Sequence, residues 1–191
     1  KDNIEILFVA AITPRKGLHH LLQAFELIHK SNPNIRAKIV GMWDWAPKYV
    51  ENLMKKYSNL IKLNKLIFTG SVSRNKLQDY FNSSNIFVLP SLAESAPMVI
   101  SQAMCCGLSI ISTKVGGIPE MIQNNEDGLL VEPNDPKALK IALQKLIESN
   151  DLRILYSKNA RIKGYNRYHP VSVAKQTVQA YRSVISGEEL K

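Results

Sequence analysis

This 191-residue sequence has only two cysteines and no long apolar run. The first shortage argues against a disulfide-bonded protein and the second against a membrane-spanning one. The two cysteines, Cys105 and Cys106, are neighbours inside a segment with helical periodicity, and a disulfide between adjacent residues is strained and rare. We interpret them as reduced core thiols, which predicts a cytoplasmic protein. Apolar stretches such as residues 6–12 and 86–90 are far shorter than the roughly 20 residues of a membrane helix, so no span is predicted.

The common metal and nucleotide motifs are also missing. The four histidines are scattered, and no CxxC, HExxH or Asp-x-Asp spacing occurs. Neither a GxGxxG fingerprint nor a P-loop is present. We therefore expect no metal ion and no cofactor.

Positive charge is in excess, with 25 Lys and Arg against 16 Asp and Glu, and the excess lies in residues 1–80. A diphosphate ligand, an acidic membrane surface, nucleic acid or a solvated basic surface would each agree with it. Aromatic and basic residues do not alternate as they do on nucleic-acid platforms, so no nucleic-acid partner is expected. The chain opens at Lys1 without a methionine or a leader, which we interpret as a fragment of a longer protein.

Apolar strand-like runs alternate with segments of helical periodicity along the whole chain. Such alternation is typical of parallel β-α-β units, and it predicts one Rossmann-like α/β domain with a mostly parallel sheet of about six strands and helices on both faces. The predicted strands are residues 4–12, 36–40, 66–69, 86–89, 108–112 and 128–131. The predicted helices start after Pro14 and Asp135 and span residues 48–60, 74–81, 98–106 and 119–123, with two more after residue 149 that break near Pro170.

Ligands of open parallel sheets bind outside the carboxyl ends of the strands, so the segments that follow strands are the candidate site. Arg15 and Lys16 precede a helix, where cations and backbone amides together bind a diphosphate. Glu94 enters from a loop and Gln102 from the following helix, whose first amides near Val99 face the same edge. Each fragment alone also fits a surface turn, a helix cap or a tight connection, so the pattern leaves those interpretations open.

The ordered set of segments resembles the C-terminal domain of group 1 retaining glycosyltransferases, two-domain enzymes of the GT-B fold. The resemblance covers nearly the whole chain. It rests on residues 14–17, 21–25, 68–72, 86–91, 94–97, 102–107, 115–120 and 128–131.

The resemblance implies a role for each matching residue. Arg15 and Lys16 would bind the donor diphosphate and Glu94 would contact the transferred sugar, which makes these three the catalytic candidates. Gln102 stands where the family has a second glutamate for the ribose hydroxyls, and a neutral amide is a weaker partner there than a carboxylate. The donor-binding candidates are Gly17, Gly70, Val72, Ser95, Pro97, Met98, Val99, Gln102, Gly116 and Gly117.

The resemblance also implies a reaction: transfer of a sugar from a nucleoside diphosphate to an acceptor, with retention at the anomeric carbon and without a metal. The acceptor would be held by an N-terminal domain absent from this chain, toward which residues 169–191 would pack from the domain formed by residues 1–168. The isolated chain should then be inactive, and the full-length protein would be cytoplasmic, with a peripheral contact at the inner membrane face as a further expectation. A nucleotide-binding module without activity and a nucleotide-sugar epimerase or phosphorylase remain the alternatives.

Overall fold

The apolar runs form the strands of a single sheet in the computed structural model, which describes residues 3–187. All neighbouring strands are parallel, and their order is β3-β2-β1-β4-β5-β6. The strands are β1 Ile4–Val9, β2 Ile35–Val40, β3 Leu66–Gly70, β4 Ile86–Leu89, β5 Ser109–Thr113 and β6 Leu129–Val131. The predicted Rossmann-like sheet is confirmed. Its order reverses between β1 and β4, where this topology opens a crevice at the carboxyl edge.

Helices connect the strands and cover both faces of the sheet. Among them, α1 packs against α7, and α5 packs against α8. The helices are α1 Leu18–Ile28, α2 Pro47–Lys56, α3 Ser58–Lys62, α4 Arg74–Asn82, α5 Met98–Cys105, α6 Ile118–Met121, α7 Pro136–Glu148, α8 Asn150–Tyr168 and α9 Pro170–Ser186.

Local sequence explains why these elements form where they do. In β1 the consecutive side chains of Ile6, Leu7 and Phe8 are fully buried, as expected for a strand covered on both faces. At the start of α7, Asp135 Oδ1 accepts hydrogen bonds from the amides of Lys137 (3.0 Å) and Ala138 (2.9 Å). Asp135, after which this helix is predicted to start, therefore caps it and satisfies amides that have no acceptor inside the helix.

Two predicted elements differ from the structure. The helix predicted over residues 48–60 is split at Tyr57, whose backbone leaves the helical region although its ring is buried. The first strand ends at Val9, but Ile12 remains buried and its amide donates to Met42 O at 2.7 Å. In both places the apolar periodicity continues across a change in backbone geometry, because burial of the side chain continues too.

The two cysteines are less buried than the predicted core thiols would be. Cys105 and Cys106 are free and only partly buried, since the buried side of α5 is formed by other residues. Burial, and to a smaller extent the neighbouring Cys106, raises the pKa of the Cys105 thiol.

The predicted break near Pro170 is confirmed, and α9 has no buried residue. The packing predicted for residues 169–191 stays a prediction, and residues 188–191 lie outside the described part of the chain.

Candidate functional site

Three of the predicted segments meet at the carboxyl edge of β1, β4 and β5. The amide of Leu92, in the loop after β4, donates to Arg15 O, in the turn after β1, at 2.7 Å. The amide of Gly117, after β5, donates to Ser95 O at 2.6 Å. Backbone hydrogen bonds therefore hold the three segments together around the switch point of the sheet.

Two glycines permit this close approach. Gly17 has a φ of +69°, and a Cβ built on it would lie 1.8 Å from Pro90 O. Gly116 has a φ of +53°, and its Cβ would lie 1.8 Å from Glu94 O. Any side chain at either position would collide with backbone and strain the left-handed conformation. Gly17 therefore lets the turn of Lys16 approach the loop after β4, and Gly116 lets the loop after β5 approach Glu94.

Lys16 and Glu94 form an ion pair at the centre of this cluster. The distance from Lys16 Nζ to Glu94 Oε1 is 2.6 Å, and the side chains are 16% and 6% exposed. Ser91 Oγ donates to the same carboxylate oxygen at 2.7 Å. Within residues 3–187, Glu94 Oε2 accepts no hydrogen bond, so one lone-pair-bearing oxygen of a mostly buried carboxylate remains open to a ligand hydroxyl.

Sequence reasoning missed the residues that support Glu94. Ser91 is fully buried, and its carbonyl oxygen accepts a hydrogen bond of 2.6 Å from Thr113 Oγ1 at the end of β5. The hydroxyl of the preceding residue on β5, Ser112, donates to Leu89 O at 2.7 Å. The only signal in the sequence was a run of hydroxyl residues at the ends of two apolar strands.

Arg15 precedes Lys16 in the same turn, but within residues 3–187 its side chain is not paired as that of Lys16 is. Its side chain is exposed and makes no hydrogen bond or ion pair with the described residues. Because Lys16 is paired with Glu94, the guanidinium of Arg15 is the charge on this turn that the described residues do not neutralise, and it favours a phosphate or a carboxylate ligand.

The helix that carries Gln102 begins at the same edge. α5 starts at Met98 after Pro97, and the first amides of a helix have no acceptor inside it. Val99 is partly buried against the core, whereas Met98 and Gln102 are exposed and lie one helical turn apart on the same face. Gln102 is therefore open to solvent, and its predicted contact with ribose stays a prediction.

Gly70 and Val72 lie at the same edge but outside the Lys16–Glu94 cluster. Gly70 is the last residue of β3 and Val72 follows it, and β3 is separated from β1 by β2. Since neighbouring strands are about 4.8 Å apart, the two strand ends are roughly 10 Å from each other. Gly70 contributes its carbonyl to the amide of Gly41 at 3.0 Å. Their predicted donor contacts would thus be made by a different part of the ligand from that bound by Lys16.

A fifth loop, residues 41–46, occupies the space between those strand ends, and sequence reasoning missed it. It holds both tryptophans of the chain, Trp43 and Trp45. A Cβ on Gly70 would lie 3.5 Å from the Trp43 ring, and Trp45 is 74% exposed. The clustering of both tryptophans just after a strand was the available signal.

A histidine cluster lies behind the same edge, in the first turn of α1. The rings of His19 and His20 are 3.9 Å apart, and His19 Nδ1 is 2.8 Å from Tyr49 Oη. Burial lowers the pKa of both histidines and raises the pKa of Tyr49 to about 12. Neutral imidazoles are therefore favoured, and this cluster joins α1 to α2 without providing charge to the site.

A separate cavity lies away from this edge. It encloses about 290 Å³ at the opposite edge of the sheet, between the start of β1, the start of β2 and Arg153. That edge carries the amino ends of the strands, whereas this topology binds ligands at the carboxyl ends. The Arg153 guanidinium is also already bonded to the carbonyls of Leu146 and Ile147. We therefore assign the candidate site to the Lys16–Glu94 edge.

Within residues 3–187, no group of three or more His, Cys, Asp or Glu side chains is close enough to hold a metal ion. In the same part of the chain, no helix has both the length and the apolar character required to cross a bilayer. That the reaction needs no metal stays a prediction.

Several known proteins are similar to this chain in sequence and in fold. An uncharacterised glycosyltransferase of Methanocaldococcus jannaschii is 29% identical over 95% of the chain and 45% of its own length. Sucrose-phosphate synthase from Thermosynechococcus elongatus matches with a TM-score of 0.84 and 28% identity, over 98% of this chain and 47% of its own. The Anabaena protein HepE, solved with UDP and glucose, matches with a TM-score of 0.84 and 23% identity, over 95% and 49%.

The chain thus spans about half the length of the relatives it matches. The family model described as "Glycosyl transferases group 1" matches residues 1–163, most of the chain. Together with the β1-β4 switch point and the Lys16–Glu94 edge, this match shows that the chain belongs to the group 1 glycosyl transferases.

Proposed function

We propose that this chain is the donor-binding domain of a retaining glycosyltransferase that moves a sugar from a nucleoside diphosphate to an acceptor. One observation carries the proposal: the Glu94 carboxylate is held through Oε1 by Lys16 and Ser91 while Oε2 stays open at the edge. A sugar hydroxyl would donate to that oxygen. Arg15 and Lys16, on the neighbouring turn, would bind the diphosphate from the other side.

The chemistry assigned to these residues is electrostatic. As the bond from the sugar to the diphosphate breaks, negative charge builds on the leaving phosphate and positive charge builds on the sugar. The guanidinium of Arg15, the ammonium of Lys16 and the first amides of α5 near Val99 would stabilise the leaving group. This fixed positive charge would replace a metal ion. HepE, which shares the fold, was solved with UDP and glucose, and that supports a nucleotide sugar as the ligand class.

The acceptor would bind to a second domain. The chain spans about half of its relatives' length, and a transferase must place an acceptor opposite the donor. α9 presents an apolar face that is open to solvent, with Tyr181 67% and Ile185 86% exposed. We propose that this face packs on the missing half, and a peripheral membrane contact would belong to the full-length protein.

Calorimetry with nucleotides tests the proposal. UDP, GDP, ADP and their glucose or mannose esters are titrated into the chain, and quenching of tryptophan fluorescence gives a second readout, because Trp43 and Trp45 lie at the same edge. At least one nucleoside diphosphate should bind. In the double variant Arg15→Ala/Lys16→Ala, binding should weaken by about 3 kcal/mol or more, since each charged contact contributes about 1.5–3 kcal/mol.

Lys163→Ala is the matched control, because Lys163 also forms a 2.7 Å ion pair with a mostly buried carboxylate, Asp127, but on α8. This variant should bind nucleotide like the wild type. Equal affinity in the wild type and the double variant would refute the assignment of the diphosphate site.

Sugar transfer from radiolabelled donor separates the enzyme from a binding module. We expect transfer by the full-length protein and none by this chain, apart from slow donor hydrolysis. Transfer by the chain at a rate near that of the parent would contradict the two-domain requirement. Nucleotide binding without transfer by the parent would favour the inactive module instead.

A further inference from the structure

Two side chains donate hydrogen bonds to the same oxygen of the Glu94 carboxylate, and they differ in conformational freedom. Lys16 Nζ and Ser91 Oγ lie 2.6 and 2.7 Å from Glu94 Oε1. Lys16 ends a long flexible chain, and under the proposed function its ammonium also binds the donor diphosphate. A dianionic ligand would compete with Glu94 for that ammonium, so the ion pair alone does not keep the carboxylate in place when donor is bound.

Ser91, by contrast, is fixed by the scaffold. It is fully buried, and its carbonyl is bonded to Thr113 Oγ1 at 2.6 Å. The next amide in the chain, that of Leu92, is bonded to Arg15 O at 2.7 Å. The short serine side chain has one rotatable bond to its oxygen, so with this backbone held at both ends the hydroxyl stays close to Oε1.

We infer that Ser91 is the positioning residue that keeps Glu94 Oε2 directed to the sugar once the donor diphosphate draws Lys16 away. The inference rests on the proposed function, because it assigns Lys16 to the diphosphate and Glu94 to the sugar. Because Ser91 is fully buried, it would not itself contact the donor. Its loss should therefore weaken binding of the sugar part of the donor and leave binding of the nucleoside diphosphate part intact.

The experiment compares two buried serines. Ser91→Ala removes the hydroxyl at Glu94, and Ser109→Ala removes an equally buried hydroxyl at the opposite edge, where Ser109 Oγ donates to Arg153 O at 2.8 Å. Calorimetry measures Kd for UDP and UDP-glucose, GDP and GDP-mannose, and ADP and ADP-glucose. In Ser91→Ala the ratio of the nucleotide-sugar Kd to the nucleoside-diphosphate Kd should rise about tenfold, as expected for one lost bond to a charged group. In Ser109→Ala it should equal the wild-type ratio.

A double-mutant cycle separates positioning from a general structural effect. In a Glu94→Gln background, Ser91→Ala should cause little further rise in the ratio, because both changes act through the same carboxylate. If Ser91→Ala does not fold, Ser91→Cys, which has a similar shape but is a weak donor, replaces it with the same expected direction.

The outcomes are distinct. An unchanged ratio in the Ser91 variant, or an equal further rise in the Glu94→Gln background, overturns the role of Ser91 while the proposed function stands. If no nucleoside diphosphate binds the wild-type chain, the proposed function itself fails.

Discussion

Two ion pairs in this chain have similar lengths and burial but differ in how each carboxylate is satisfied. In the Lys163–Asp127 pair, Oδ2 binds Lys163 at 2.7 Å and Oδ1 accepts the amide of Gln123 at 2.8 Å. In the Lys16–Glu94 pair, both donors bond to Oε1. The first arrangement uses both carboxylate oxygens to fix a turn onto α8, whereas the second leaves one oxygen for something outside the chain. Burial of an ion pair is thus a poor guide to its role, and the unused oxygen is the informative feature.

The comparison predicts that the Asp127 pair is the more important of the two for stability. Asp127→Asn removes the charge that faces Lys163, so we expect the free energy of unfolding to fall by about 2 kcal/mol. Glu94→Gln should lower it by less than half of that, because the amide oxygen still accepts from Ser91 and Lys16 reaches solvent. Urea unfolding followed by circular dichroism measures both. A larger loss in Glu94→Gln than in Asp127→Asn would reverse the assignment of roles.

For ligand binding, substitution of Glu94 should have a larger effect than substitution of Asp127. Glu94→Gln should weaken binding of a nucleotide sugar by about 1.5 kcal/mol relative to the matching nucleoside diphosphate, because the sugar hydroxyl loses a charged acceptor. Asp127→Asn, assayed below its unfolding transition, should leave both affinities at the wild-type values. Isothermal calorimetry with the UDP, GDP and ADP pairs gives the two differences. Similar losses in both variants would mean that Glu94 supports the fold rather than the sugar.

The sequence was sufficient to predict the edge and most of the segments that form it. Strands buried on both faces appear as continuous apolar runs, so their ends, and the residues that follow them, are easy to place. Arg15, Lys16 and Glu94 are close together in the fold because β1 and β4 are neighbours, and topology alone predicts that convergence.

What could not be predicted depends on atomic geometry. The bond from Thr113 to Ser91 joins residues 22 positions apart, and no periodic pattern relates a strand-end hydroxyl to one carbonyl. The break in the helix at Tyr57 could not be predicted either, because the apolar spacing typical of a helix continues through it. The loop of Trp43 contains no Arg, Lys or Glu, the residue types that marked the segments after β1 and β4, so only its position after β2 indicated that it belongs to the edge.

A third prediction concerns Gln102, which unlike Glu94 and Asp127 makes no side-chain hydrogen bond with residues 3–187. Gln102→Glu restores a carboxylate and should tighten ribonucleotide binding by about 1 kcal/mol, the difference between a charged and a neutral hydrogen bond. The gain should be smaller for the 2′-deoxy analogue, which lacks one hydroxyl donor. Calorimetry with both nucleotides decides the matter. An equal gain for both analogues would show that residue 102 acts through general charge and does not contact the ribose.

The smallest effect should come from His20, an ionisable group near the same edge that has no carboxylate partner. Burial lowers its pKa, and the Asn134 side chain opposes that shift only in part. The folded state therefore binds fewer protons than the unfolded state, whose histidines titrate near pH 6.5. The resulting stability is present above that pH and is lost as pH falls through and below it.

The test of this last prediction is the change in Tm between pH 7.5 and pH 5.5 for three proteins. In His20→Gln, which cannot titrate, the loss of Tm on acidification should be smaller than in the wild type. Some loss should remain, because burial also lowers the pKa of the adjacent His19. Gln23→Ala, which changes no titratable group on the same helix, is the control, and it should keep the wild-type loss. If the Tm of His20→Gln fell as steeply on acidification as that of the wild type, protonation of His20 in the folded protein would cost no free energy. Burial would then not keep this imidazole neutral.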